Sequence, residues 1–237
     1  MSSIAPKPSA RLSRCASSIR SLAPALARIA PFAVFLAFIA VQPLLEGRLD
    51  SRWLVVLRGV AVAVLLAILW RSYGELRDGP PVAPREWAIA AAVGIAVFLA
   101  WIAFDSGWAA FEGGAAFVPL RADGSLDPVL AGLRLFGLVL VVPVMEELFW
   151  RSFLLRWIGK RDFLAADPGK AGAAALLLSS ALFALEHTQW LAGLLAGLAY
   201  SWIYMRAGNL RVPIASHAIT NGLLGAWILA TQNWHFW

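Results

Sequence analysis

The chain has 237 residues, of which 60% are hydrophobic and only 14% charged, and its mean hydropathy is +0.72. These values exclude an ordinary soluble domain and suit a protein that crosses a membrane several times. The formal net charge of +6 does not mark a nucleic-acid binder, because the basic residues flank apolar segments as the positive-inside rule describes.

Residues 1–28 are rich in Ser, Ala and Pro and carry Lys7, Arg11, Arg14, Arg20 and Arg28. They read as a mobile basic tail ahead of a single transmembrane domain over 29–237. A secretory peptide is the competing reading, but the apolar run that follows is longer than a typical signal core. The lone Cys15 excludes an intrachain disulfide and any cysteine metal cluster. Apolar segments at roughly 29–45, 53–70, 87–104, 128–158, 172–189, 190–205 and 212–230 predict an all-α, polytopic transmembrane helix bundle of about seven or eight spans. Gly79-Pro80-Pro81 breaks the chain between the second and third.

Lys and Arg set the orientation. With the N-terminus cytoplasmic, the inner side holds the five tail residues, then Arg71, Arg77 and Arg85, then Arg156, Lys160, Arg161 and Lys170, then Arg206 and Arg211. The outer side holds only Arg48, Arg52 and Arg121, while Arg58, Arg134 and Arg151 fall within spans. This alternation predicts a cytoplasmic N-terminus. It also bears on segment 128–158, which as one helix would be about 46 Å long, too much for a single upright crossing. Two crossings would invert the charge bias of everything downstream. One tilted span, kinked or broken near Pro143, is therefore expected.

That segment contains Glu146 and Glu147 in a run of Leu, Val, Phe and Trp. A carboxylate at mid-bilayer costs about 2.5–3.5 kcal/mol on insertion scales, so each needs a partner or a wet cavity. Glu147 and Arg151 are one helical turn apart and can pair. Glu146 points about 100° away and must look to water or to other helices. The fifth segment ends at Phe183-Ala184-Leu185-Glu186-His187, and the seventh carries His217 and Asn221 on one face. At about 1.5 Å per residue, Glu146, His187 and His217 bracket the bilayer centre without being level. Gly193 and Gly197 read as a site of close helix packing.

If these groups converge, they can activate a water for attack on a carbonyl. Glu146 is then the general base, His187 holds the water, and His217 and Asn221 donate to the developing oxyanion. A second version uses Glu146, His187 and His217 as ligands of Zn²⁺. The helix-borne His-Glu-x-x-His site is absent. A non-catalytic alternative has the same cluster serve as a proton or ion relay, or as a binding scaffold. A relay has little use for Asn221 one turn after His217.

Glu146-Glu147-x-x-x-Arg151, Phe183-x-x-x-His187 and His217-x-x-x-Asn221, in that order, resemble the three motifs of the CAAX-protease and bacteriocin-processing family of intramembrane proteases. The matching motifs span 146–221. The resemblance implies a helical membrane endopeptidase with catalytic Glu146, Glu147, His187, His217 and Asn221, supported by Arg151 and Phe183. It leaves open whether Zn²⁺ or no cofactor takes part. It implies membrane lipid and a peptide or protein substrate near the membrane as partners, and no nucleic acid. The stretch 187–200 and the ending Asn233-Trp234-His235-Phe236-Trp237 are similar to a bacterial branch found with exosortase and PEP-CTERM sorting systems. That narrower likeness implies a multi-pass protein of the bacterial inner membrane. Two departures stand out: Ser152 where the family often has Gly, and Glu186 where a small apolar residue is commoner.

Overall fold

A computed structural model describes residues 10–45, 47–111, 113 and 116–237, with side chains from residue 23 onward. Residues 1–9 of the basic tail lie outside the described residues, as do the side chains of Arg11, Arg14, Cys15 and Arg20. Eight helices build the described chain: α1 (Ala10–Leu45), α2 (Ser51–Ile68), α3 (Gly74–Arg77), α4 (Pro84–Ala103), α5 (Pro128–Gly159), α6 (Ala173–Leu185), α7 (Trp190–Ala207) and α8 (Arg211–Thr231). No strand occurs among the described residues; one isolated bridge joins Leu120 to Leu126.

Each apolar segment read from the sequence corresponds to one of these helices, with ends that differ by a few residues. Five stretches are long and apolar enough to cross a membrane: Ala23–Leu45, α2, α4, α5 and α8. The other two segments form a packed pair, the 13-residue α6 and the 18-residue α7. Polarity is inverted relative to a soluble protein. Leu57, Val60, Val64 and Ile68 form an exposed stripe along α2, and Leu177, Leu178, Leu182 and Leu185 do the same on α6. Glu146, Glu147, Arg151, Ser201, His217 and Thr220 are buried inside. Lipid solvates such a surface, and the polar groups must then satisfy one another.

Local chemistry fixes the helix ends. Asp127 caps α5 by accepting from the backbone N–H of Val129 and Leu130, with Pro128 in the first turn. Gly208 ends α7 in the left-handed conformation at φ 62°. α5 is central and touches α1, α2, α6, α7 and α8, while α8 runs along α4 and α7 packs on α6.

The disruption expected near Pro143 takes the form of two wide π-helical stretches, Gly137–Val141 and Leu148–Leu155, either side of the glutamates. In the first, the N–H of Val142 reaches back five residues to the carbonyl of Gly137. Pro143 is next in that series and has no N–H, so the carbonyl of Leu138 loses its donor. Asn221 Nδ2 donates to it at 2.8 Å from α8. The helix therefore stays continuous through the point where a kink or break was expected.

α1, α3 and α5 are tied by buried and part-buried polar groups. Arg28 Nε donates to Glu75 Oε1 at 3.0 Å and to Ser152 Oγ at 2.9 Å, Ser152 donates to Glu75, and Arg156 Nη2 donates to Ser152 Oγ at 2.9 Å. Ser152, a departure from the family pattern, is thus accounted for by this knot. Arg28, the last basic residue of the tail region, is 1% exposed and part of the fold.

Candidate active site

Glu147 is fully buried, and its Oε1 accepts from Arg151 Nη1 at 3.1 Å and from His217 Nδ1 at 3.0 Å. The expected one-turn pair is made, and a third member joins it from α8. Arg151 Nη2 also reaches the carbonyl of Gly197 at 3.4 Å. Its guanidinium carbon lies 4.4 Å from the Phe183 ring centre and 5.4 Å from that of Tyr200. The charge is therefore covered by two aromatic faces as well as by a carboxylate.

Those two rings also hold the imidazoles. His217 stacks on Tyr200 at 5.0 Å, and Phe183 meets His187 at 4.6 Å. Trp101 of α4 meets His187 edge-on at 5.2 Å. Tyr200 Oη donates to Thr220 Oγ1 at 2.7 Å, and Thr220 donates to the carbonyl of Gly94 at 2.9 Å. The sequence did not mark Tyr200, Thr220 or Trp101 as site residues. Tyr200 carried a usable signal: it is the first hydroxyl-bearing residue on α7, one turn after Gly197 on the same face.

Two glycines make this convergence sterically feasible. A Cβ on Gly197 would lie 2.9 Å from Ser180 Cα, and one on Gly94 would lie 2.6 Å from the carbonyl oxygen of Ser216. Larger residues would push α7 off α6 and α4 off α8.

His187 sits just beyond α6, which ends at Leu185. Its Nδ1 lies 2.8 Å from the carbonyl of Phe183. It thereby gives the Phe183 carbonyl a partner beside the Glu186 backbone N–H, which reaches it at 3.4 Å. Glu186 beside it accepts from Trp150 Nε1 at 3.1 Å.

Glu146, Glu186, His187, His217 and Asn221 all line one cavity of about 260 Å³. Its volume admits several water molecules. Glu146 is 4% exposed, and its Oε2 has no hydrogen-bond partner. Of the glutamate pair, Glu147 is therefore engaged by Arg151 and His217, and Glu146 is left facing the cavity. Glu147 itself does not line it.

Hydrogen bonding also fixes the tautomers. A carbonyl and an ionised carboxylate only accept, so His187 and His217 each carry hydrogen on Nδ1. In the neutral form both then present Nε2 as an acceptor. Metal-ligating histidines are often oriented in this way. Yet among the described residues no group of three or more His, Cys, Asp or Glu is placed to hold a metal ion. Glu146, His187 and His217 share one cavity.

Residues 128–223 match the family model described as Rce1-like, type II CAAX prenyl endopeptidase. The match runs from the N-terminus of α5 into α8 and contains all seven residues singled out above from the motifs. It supports an intramembrane protease in general terms, while the Rce1-like model does not reach the exosortase-associated branch. No curated protein and no solved structure matches the chain.

Proposed function

We propose that this protein is an intramembrane endopeptidase that hydrolyses a membrane-proximal peptide bond with a water activated by Glu146. The observation that carries the reading is the unpartnered Glu146 carboxylate in a cavity lined by His187, His217 and Asn221. The Glu146 carboxylate takes a proton from a water whose other hydrogen is accepted by His187 Nε2. The resulting hydroxide adds to the scissile carbonyl carbon, and the carbonyl oxygen becomes an oxyanion. The protonated Glu146 then returns its proton to the departing amine as the C–N bond breaks.

Charge on the oxyanion needs donors. Asn221 has a second amide N–H beyond the one spent on Leu138. His217 donates from Nε2 only as the imidazolium, and Glu147 on Nδ1 is the partner that stabilises that form. Glu147 thus acts through His217, and Arg151 holds the carboxylate in place by donating to its Oε1. Phe183 supports both imidazoles. The distribution of Lys and Arg supports a multi-pass protein with its N-terminus in the cytoplasm. The likeness to the bacterial sorting-associated branch, carried by 187–200 and the C-terminal residues, extends the proposal to the bacterial inner membrane.

The test is cleavage of membrane-anchored peptides by purified protein and by Glu146→Ala and His217→Ala variants. Each variant is expected to lose about 10²-fold or more in rate. Undiminished turnover in both would overturn the assignment. Proton flux in liposomes that disappears in Glu146→Gln, with no cleavage by the native chain, would favour a relay instead.

A further inference from the structure

Two arginines inside the membrane helices take no part in the chemistry above. Arg58 of α2 lies over the Phe35 ring at 4.4 Å, and Arg134 of α5 lies over Phe117 at 5.5 Å. Among the described residues neither forms a salt bridge. Arg134 Nε is buried and has no hydrogen-bond partner. Cations at this depth are costly unless they meet an anion or water, and they mark ligand or ion paths.

Their position is informative. Both side chains line the cavity that holds Glu146. Both also line a mainly apolar cleft of about 250 Å³ between α2 and α5, and a third cavity of about 450 Å³ beside Asp105, Gln189 and His235. Three spaces therefore meet at one pair of guanidinium groups. The apolar cleft, which shares Val142 with the Glu146 cavity, suits a hydrophobic segment arriving from lipid. A guanidinium pair suits a carboxylate, which it can grip with parallel N–H···O bonds.

We propose that Arg58 and Arg134 form a carboxylate subsite that anchors the peptide substrate beside the scissile bond. The inference rests on the endopeptidase reading and adds a specificity element to it. Arg58 lies outside the residues matched by the Rce1-like model. The carboxylate is either the substrate's own C-terminus or an acidic side chain close to the cut. Tethering it fixes the register of the chain across Glu146, which converts binding into correct positioning of the reacting carbonyl.

The test uses the full-length chain carrying Glu146→Gln, in phosphatidylcholine nanodiscs, with fluorescein-labelled Leu- and Ala-rich decapeptides. Three versions are compared by anisotropy: free C-terminus, amidated C-terminus, and amidated with one Glu near the end. A carboxylate-bearing version is expected to bind about tenfold or more tighter than the plain amide. Whether the free acid or the Glu peptide gains identifies the source. Arg58→Gln and Arg134→Gln are expected to bring that ratio towards one, and the Lys variants to retain part of it. Equal affinity of all three peptides for the parent protein would overturn the proposal, and that comparison needs no arginine variant to fold. A ratio that survives both Gln substitutions would overturn it too. So would Gln variants that lose only co-purified anionic phospholipid, since the site would then take a lipid headgroup. Binding with the expected ratio but no cleavage by the native chain would leave the subsite standing and remove the peptidase reading.

Discussion

Glu147 and Arg151 illustrate how one buried pair serves two ends. Removing the negative partner leaves a guanidinium buried and uncompensated, which costs about 3–5 kcal/mol. Glu147→Gln is therefore expected to lower thermal stability strongly, whatever it does to activity. Glu147→Gln combined with Arg151→Met removes both charges and is expected to recover most of the stability in thermal unfolding. Cleavage is not expected to return, because His217 has lost the carboxylate on Nδ1. A double variant that is both stable and fully active would make the pair a structural device only. The one-turn spacing of the two residues was legible in the sequence, and so was the isolation of Glu146. The attachment of His217 to Glu147, 70 positions away, was not, because it depends on how α8 leans on α5.

The same limit holds for helices. The apolar runs announced each element, since lipid selects for composition over the whole length of a span. What the runs could not announce was the π-helical form of α5, which depends on a side chain from elsewhere. Leu138 lacks a donor because residue 143 is proline, and Asn221 supplies one. Asn221→Ala should leave that carbonyl buried and unsatisfied, at about 1–3 kcal/mol. Pro143→Ala restores a backbone N–H at the needed position. In the Pro143→Ala background the Asn221→Ala substitution is expected to cost much less, and a double-mutant cycle on thermal unfolding measures the coupling. Strictly additive effects would refute this account of the π turn. α6 ends at Leu185, close to the end of the segment read as roughly 172–189, and the His187 side chain meets the Phe183 carbonyl there.

At the scale of the whole molecule, the knot that joins α1, α3 and α5 depends on charge. Burial acts to raise the pKa of Glu75, but the hydrogen bond and charge of Arg28, with help from Ser152, hold it below its ordinary 4.5. A carboxylate with a depressed folded pKa contributes stability above its unfolded value, and that contribution is lost as pH falls through the folded one. Thermal stability of the purified protein is expected to decline below about pH 4.5, and less so in Glu75→Gln, whose starting stability is lower. An identical acid profile for both proteins would show that the knot does not govern this end of the bundle.

The two wide turns of α5 carry a final consequence. Each accommodates one residue more than a regular turn, so the angular setting of Glu146 and Glu147 depends on a residue count on either side as much as on their identity. Deleting a single residue between Gly137 and Val141 would preserve hydropathy, motifs and helix, yet swing both carboxylates by about 100° towards a neighbouring face. Among relatives of this chain, indel-free spacing through that stretch should be as informative about catalysis as the glutamates themselves.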